Sequence, residues 1–277
     1  MNYLHSYHAG CIGDVFKHAL LLHMLQCMLR KEGAVTVLDT HAGRGLYDLQ
    51  GAEAQKTHEA EIGIIKAAQS SEITLAPYLN AVQAFNPKDE LRYYPGSPAF
   101  IAHALRSEDL LILNELHPEE AMALRGVFKG DKQVRIHERD AYEIWPALTP
   151  PETSRGLFLV DPPFEKTDEY ENMTKALVES YAKCQHAVIM MWYPLKERPA
   201  IWRWHESLIA TGIPRLMMIE HCLYTDERAD RMNGAGFVIA NPPYSFQQTV
   251  GPLLEAIRKA LQPDGEVSSV KVDWLTS

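Results

Sequence analysis

Leu157-Phe158-Leu159-Val160-Asp161-Pro162-Pro163-Phe164 decides how the rest of this chain is read. Four consecutive apolar residues with no polar alternation fit a strand buried on both faces, as in a parallel sheet. The strand ends abruptly in a carboxylate, two prolines and an aromatic ring. The prolines stiffen the backbone and carry no N–H, so their carbonyls remain free acceptors. A carboxylate, a carbonyl and a flat ring at one strand tip suit a planar base: the ring stacks on it while the two oxygens accept both protons of an exocyclic amine. The stretch thus points to methylation of an amino nitrogen, with Asp161, Pro162 and Phe164 as the catalytic candidates. The tetrapeptide also fits a merely stiff turn. A second copy, Asn241-Pro242-Pro243-Tyr244, follows another apolar run, Gly236-Phe237-Val238-Ile239-Ala240.

Outward from this stretch, strands alternate with helices. Strands are expected at Ala34–Leu38, Leu110–Leu113, Gln133–Ile136, Leu157–Val160, His186–Trp192, Arg215–His221 and Phe237–Ala240. Amphipathic helices are expected at Pro118–Phe128, Tyr170–Lys183 and Pro199–Thr211, with an apolar helix at Val15–Leu29. That alternation predicts an α/β fold with a seven-stranded, mostly parallel sheet, helices on both faces and one reversed strand at an edge. The interval between the first and second strands is too long for a simple crossover. Residues 46–109 therefore read as a helical insertion into a domain made of 1–45 and 110–277.

In such sheets ligands bind beyond the carboxyl ends of the strands, at the switch point. The first strand leads into Asp39-Thr40-His41-Ala42-Gly43-Arg44-Gly45, a tight glycine turn without the spacing of a dinucleotide or phosphate loop. Glu115 follows the second strand, where a carboxylate can accept from both ribose hydroxyls. Asp140 follows the third, placed to accept from an adenine amine, and Asp161 follows the fourth. Each acid alone also fits a cap or a turn. Together they suggest S-adenosylmethionine, with Lys17 and His18 near the methionine carboxylate. The order also selects between the two Pro-Pro copies: Asp161 falls beside the first strand, and Asn241 reads as a structural turn.

Bulk properties bound the reading. With 277 residues and 46% hydrophobic content, the chain can bury a sizeable core. No apolar run is long enough to cross a bilayer, no secretory leader is evident, and four unpaired cysteines fit a reducing cytoplasm. Twelve histidines show no ligand spacing with Cys or carboxylates, so no metal is expected. A net charge of −9 excludes non-specific nucleic-acid binding by overall charge. A local basic lip is expected instead, from Lys17, Arg44, Arg92, Arg198 and Arg203.

Tyr7-His8-Ala9-Gly10, Asp14-Val15-Phe16-Lys17-His18, Leu38-Asp39-Thr40-His41-Ala42-Gly43-Arg44-Gly45, Arg92-Tyr93-Tyr94-Pro95-Gly96-Ser97-Pro98, Asn114-Glu115-Leu116-His117-Pro118 and Asp161-Pro162-Pro163-Phe164 follow one another in this chain. These blocks resemble the bacterial 23S ribosomal RNA adenine-N6 methyltransferases of the RlmJ type, nearly end to end. The resemblance implies a Rossmann-like class I methyltransferase with a helical insertion, acting on protein-free 23S ribosomal RNA as a cytoplasmic monomer. It implies that S-adenosylmethionine is touched by His18, His41, Ser97, Glu115, Asp140 and Asp161, and that Tyr3 meets the RNA. This chain has Phe164 where many members have Tyr, and Ala141 where Gly often follows the aspartate; Gly43 and Ala141 join the expected cofactor lining. Related chemistry leaves adenine-N6 DNA and protein-glutamine methyltransferases as alternatives, beside a non-catalytic RNA-binding assembly factor.

Overall fold

The computed structural model describes residues 4–88, 90–225 and 231–277. In chain order, the elements are α1 (Ile12–Leu29), β1 (Val35–Asp39), β2 (Leu46–Asp48), α2 (Ala54–Thr57), α3 (Ala76–Gln83), β3 (Tyr93–Pro95), α4 (Ser97–Ala104), β4 (Leu110–Asn114), α5 (Pro118–Val127), β5 (Val134–His137), α6 (Ala141–Ala147), β6 (Arg155–Val160), α7 (Glu169–Lys183), β7 (Val188–Pro194), α8 (Arg198–Ala210), β8 (Leu216–Cys222), β9 (Gly234–Ala240), α9 (Tyr244–Leu261) and β10 (Ser269–Thr276).

An eight-stranded sheet runs in the order β10-β8-β9-β7-β6-β1-β4-β5, and β2 and β3 form a separate pair. From β1 the chain proceeds outward through β4 to β5, then returns to place β6 on the other side of β1. The switch point therefore lies between β1 and β6, which pair in parallel from Val35↔Arg155 to Asp39↔Leu159. β1 is buried throughout and β6 from its second residue on, in keeping with their unbroken apolar runs. One face of the sheet packs on α1, α4 and α9, the other on α6, α7 and α8.

The sheet has eight strands, not the expected seven. β10 pairs antiparallel with β8 at the edge. Its alternation of Val270, Val272 and Trp274 with Lys271 and Asp273 is half exposed and gives a weak apolar signal. Two strands are reversed rather than one: β10 at the edge, and β9, which lies between β7 and β8, antiparallel to both. α9 was not foreseen either, because Gly251-Pro252 in its middle reads as a break; the helix continues through Pro252.

Helix α1 is buried on almost every side, since residues of the 54–67 segment and α4 cover what the sheet does not. The N-terminal arm is fastened by that segment: Ile64 N–H donates to the Gly10 carbonyl at 2.8 Å, and the Thr57 hydroxyl donates to the Tyr7 carbonyl. Any Cβ at Gly63 would lie 2.0 Å from the Gly10 oxygen, so the crossing requires glycine there. Because α4 packs on α1, β1 and β4 as an ordinary crossover helix does, we propose that the inserted unit within 46–109 is the part that ends with β3.

Candidate active site

The carboxyl ends of β1, β4 and β6, the start of α6 and the first turns of α1 surround one cavity of about 760 Å³, within the range of small-molecule sites. The lining includes Lys17, His18, His41, Gly43, Ser97 and Glu115. It also includes Asp140, Ala141, Asp161, Pro162 and Phe164. Residues far apart in sequence thus meet at the switch point. Tyr3 lies outside the described residues.

Glu115 is held in place by backbone. The Gly43 N–H donates to Oε2 at 2.7 Å and the His117 N–H donates to Oε1 at 2.7 Å. Burial raises the pKa of this carboxyl, with both N–H donors opposing. Each oxygen retains a lone pair for a further donor. Gly43 has φ +61, and a Cβ there would stand 2.3 Å from the Tyr47 hydroxyl, so the turn that brings its N–H to Glu115 depends on glycine. Asp140 caps α6 by accepting from the Tyr142 N–H at 2.8 Å and also lines the cavity; the cap and the site are one residue.

Asn114 was not foreseen. It is buried, and its amide donates to the Thr40 carbonyl and the Arg139 carbonyl, both at 3.0 Å, while its carbonyl accepts from Arg139 N–H at 3.1 Å. One side chain therefore joins the loops after β1 and β5 to the tip of β4. Its signal was an amide at the end of an otherwise apolar strand.

Below the cavity floor, Asp39 is fully buried, and burial pushes its carboxyl up to about 7; the Ser97 hydroxyl and His41 N–H pull against this, and the charge of Asp161 adds to it. Burial pushes His41 down to about 4 against the nearby Asp161 and Asp140 charges, which leaves a neutral imidazole at pH 7. Thr40 Oγ1 donates to the Leu159 carbonyl at 3.0 Å and lies 2.8 Å from His41 Nδ1. Since that hydroxyl has one proton, His41 Nδ1 donates and Nε2 is left as an acceptor.

Lys17 does not stand free for a ligand carboxylate. Its ammonium lies 2.5 Å from Asp161 Oδ2 and 3.0 Å from Asp14 Oδ1. Asp14, another residue not foreseen, is 1% exposed and accepts from the Gly10 N–H at 2.9 Å, with His5 Nε2 at 2.8 Å. Burial opposes its ionisation, but the neighbouring His5, Lys17 and His18 hold it well below the usual carboxylate range. Burial, aided by the charge of Lys17, also holds His18 well below the usual imidazole range. His18 Nδ1 bonds the Tyr94 hydroxyl at 2.7 Å, which bonds Tyr78 at 3.1 Å, while Nε2 is buried with no protein partner. A buried orphan nitrogen on a cavity wall fits a ligand-binding group.

Phe164 adopts φ +51, an uncommon conformation for a bulky residue. Ring contacts hold it there: Tyr170 at 5.1 Å and Trp192 at 6.0 Å between centroids, with Trp204 behind Tyr170 at 4.9 Å. Trp192 lines the cavity and belongs to β7, so the neighbouring strand supports the ring.

The two Pro-Pro copies differ in place and in use. β9 is antiparallel to β7 with Ile189↔Ala240, so Asn241 emerges at the opposite sheet edge from Asp161. Its amide donates to the Gln185 and Ala187 carbonyls, and the Pro242 carbonyl accepts from Arg215 and Gln247. By contrast, the Pro162 carbonyl and Asp161 Oδ1 accept no hydrogen bond from the described residues. The Asn241 copy is a turn with its polar groups satisfied; the Asp161 copy presents two open acceptors to a cavity.

The expected basic lip does not form. Arg44 pairs with Glu120, Arg92 with Asp48 and Arg198 with Glu220, while Lys17 is shared by Asp14 and Asp161. Arg203 is exposed on α8 and does not line the cavity. Carboxylates nearby in space, invisible to local sequence, neutralise the cations.

The family model described as ribosomal RNA large subunit methyltransferase D, RlmJ, matches residues 32–276. The ribosomal RNA large subunit methyltransferase J of Escherichia coli (strain K12) is 34% identical over 277 residues, covering 99% of each chain. That of Haemophilus influenzae is 36% identical over 279 residues, covering 100% of this chain and 99% of the relative. Among solved structures, a protein from Legionella pneumophila superposes with TM-score 0.88 at 31% identity, covering 96% of this chain and 98% of that one.

Proposed function

The chain belongs to the RlmJ family of ribosomal RNA large subunit methyltransferases, and from that premise we propose that it transfers a methyl group from S-adenosylmethionine to the N6 amine of one adenosine in protein-free 23S ribosomal RNA. The observation that carries this reading is the pair of open acceptors, Asp161 Oδ1 and the Pro162 carbonyl, beside the Phe164 ring in the cavity that also holds Glu115, Asp140 and His18. We infer a monomer acting in the cytoplasm; among the described residues no helix is long and apolar enough to cross a membrane.

The donor set fits S-adenosylmethionine. Glu115 would accept from the ribose hydroxyls and Asp140 from the adenine amine, with Leu116 and Ala141 along the base and His41 and Gly43 along the turn. In the tautomer in which Tyr94 donates to Nδ1, His18 carries its proton on the orphan Nε2 and would be a neutral donor for the methionine carboxylate. Ser97, at the start of α4, lines the same cavity. When bound, the cofactor supplies an electrophilic methyl on a positively charged sulfur.

The chain's own groups do the rest. A target adenosine leaves its stack for a few kcal/mol, and Phe164 receives the base. Asp161 Oδ1 and the Pro162 carbonyl accept the two N6 protons. That draws the nitrogen toward tetrahedral geometry and frees its lone pair from the ring. Lys17 holds Oδ2, so the carboxylate presents its other oxygen in a fixed direction. Alignment of nitrogen and methyl supplies much of the rate, of order 7–11 kcal/mol. Asp161 also stabilises the positive charge that develops on N6. An ordinary carboxylate is far too weak a base to deprotonate an aryl amine first, so the proton leaves after the methyl arrives.

Tritiated S-adenosylmethionine incubated with ribosomal RNA, DNA and protein fractions tests the assignment. Label is expected in RNA alone, as N6-methyladenosine. Label in DNA or in protein glutamine, or cofactor binding without transfer, would overturn it.

A further inference from the structure

We propose that Lys166 and Lys196 form a phosphate clamp at the cavity mouth that seats the RNA backbone on either side of the extruded nucleotide; this rests on the RNA-methyltransferase reading above. The cavity wall is acidic: Asp14, Glu59, Glu115, Asp140, Asp161 and Glu169 all contribute. Phosphates are repelled from such a wall, so the sugar-phosphate chain must remain at the rim while the base enters. Cations are therefore needed at the rim, and of the residues expected there from sequence four are neutralised by carboxylates and Arg203 does not line the cavity.

Two ammonium groups on the lining escape that fate. Lys166 and Lys196 are both exposed, both line the cavity, and neither has a carboxylate within ion-pair distance among the described residues. Arg231, also on the lining, lies over the Tyr224 ring at 3.5 Å. Lys166 sits in the loop after β6 and Lys196 in the loop after β7, neighbouring parallel strands that end at the same sheet edge. The Phe164–Trp192 contact, at 6.0 Å, ties those two loops together. Lys166 follows Phe164 by two residues and Lys196 follows Trp192 by four. The two cations are therefore carried on the two loops that meet at the ring that receives the base. An extruded nucleotide presents one phosphate on each side of its sugar, and two separate cations match that arrangement.

The test is methyl transfer to protein-free 23S ribosomal RNA over a series of salt concentrations, for wild type, Lys166→Ala, Lys196→Ala, the double variant and the double arginine variant. Each alanine is expected to lower the slope of log(kcat/KM) against log salt by about 1. KM for RNA should rise more than kcat falls, and the arginine pair should restore the slope, since any cation neutralises a phosphate. A merely structural role would not move a salt slope. An unchanged slope in the double variant while wild type methylates RNA overturns the clamp alone. Failure of wild type to methylate RNA overturns the functional reading and the clamp with it.

Discussion

Lys17 Nζ lies 2.5 Å from Asp161 Oδ2 and 3.0 Å from Asp14 Oδ1, so one ammonium joins the N-terminal helix to the tip of β6 across 144 residues of sequence. The Lys17 side chain is 7% exposed and that of Asp14 1%, so their charges are poorly screened. Replacing Lys17 by Met removes the ammonium shared by two carboxylates, leaving Asp161 without that partner and Asp14 with His5 as its ion-pair partner among the described residues. Breaking a buried pair in this way costs about 3–5 kcal/mol. We expect urea unfolding to register a loss toward the lower end, because Asp161 is partly open to water, together with a loss of methyl transfer. Unchanged stability would show that the bridge carries no net energy.

Asn114 makes a distinct prediction. Asn114→Ala strands two carbonyls and one N–H in a buried setting. Unmet buried groups cost about 1–3 kcal/mol each, so a loss of roughly 3 kcal/mol is expected after partial relaxation. Since the loops it joins carry His41 and Asp140, cofactor affinity measured by calorimetry should fall as well. Affinity that holds while stability falls would separate the two roles.

Phe164 acts through its ring. Phe164→Tyr keeps the ring and should retain most activity. Phe164→Leu forfeits base stacking worth about 1–3 kcal/mol, a drop of roughly 5- to 150-fold in kcat/KM. Initial-rate kinetics on RNA distinguish these outcomes; equal losses in both variants would contradict the platform role.

Asp39 gives a pH dependence with a definite sign. Its folded-state carboxyl is pushed up to about 7, chiefly by burial, from an ordinary value near 3.8. Between those values the folded chain binds the proton more tightly than the unfolded chain does. This group's contribution is therefore complete at about pH 4 and is lost as pH rises through 7. Asp39→Asn cannot ionise, so it should gain on wild type with rising pH, by roughly 4 kcal/mol at most, and match it near pH 4. Urea unfolding from pH 4 to 8 measures this. A gap that widens toward acid would reverse the assignment.

Much of the fold was legible because buried parallel strands leave an unambiguous trace: short apolar runs that stop at an acid. Glu115, Asp140 and Asp161 stood out for that reason, and their common edge followed from the topology alone. What stayed hidden depends on partners remote in sequence. Nothing around Lys17 announces that its charge is shared with Asp161, and nothing around Arg44 or Arg198 announces Glu120 or Glu220. Asn114 and Trp192 look like ordinary strand residues until the neighbouring loops arrive. β10 escaped because this edge strand buries none of its residues fully, Val272 and Trp274 included, and α9 because a mid-helix proline imitates an end.

The most direct test of the account is nucleoside mapping of 23S ribosomal RNA from a strain lacking this gene, complemented with wild type or with Asp161→Ala. One N6-methyladenosine should be missing from the deletion strain, return with wild type, and stay absent with Asp161→Ala although the variant protein is folded. Return of the methyl group with Asp161→Ala, or loss of a methyl carried on a different atom, would contradict the role assigned to the strand tip at 161–164.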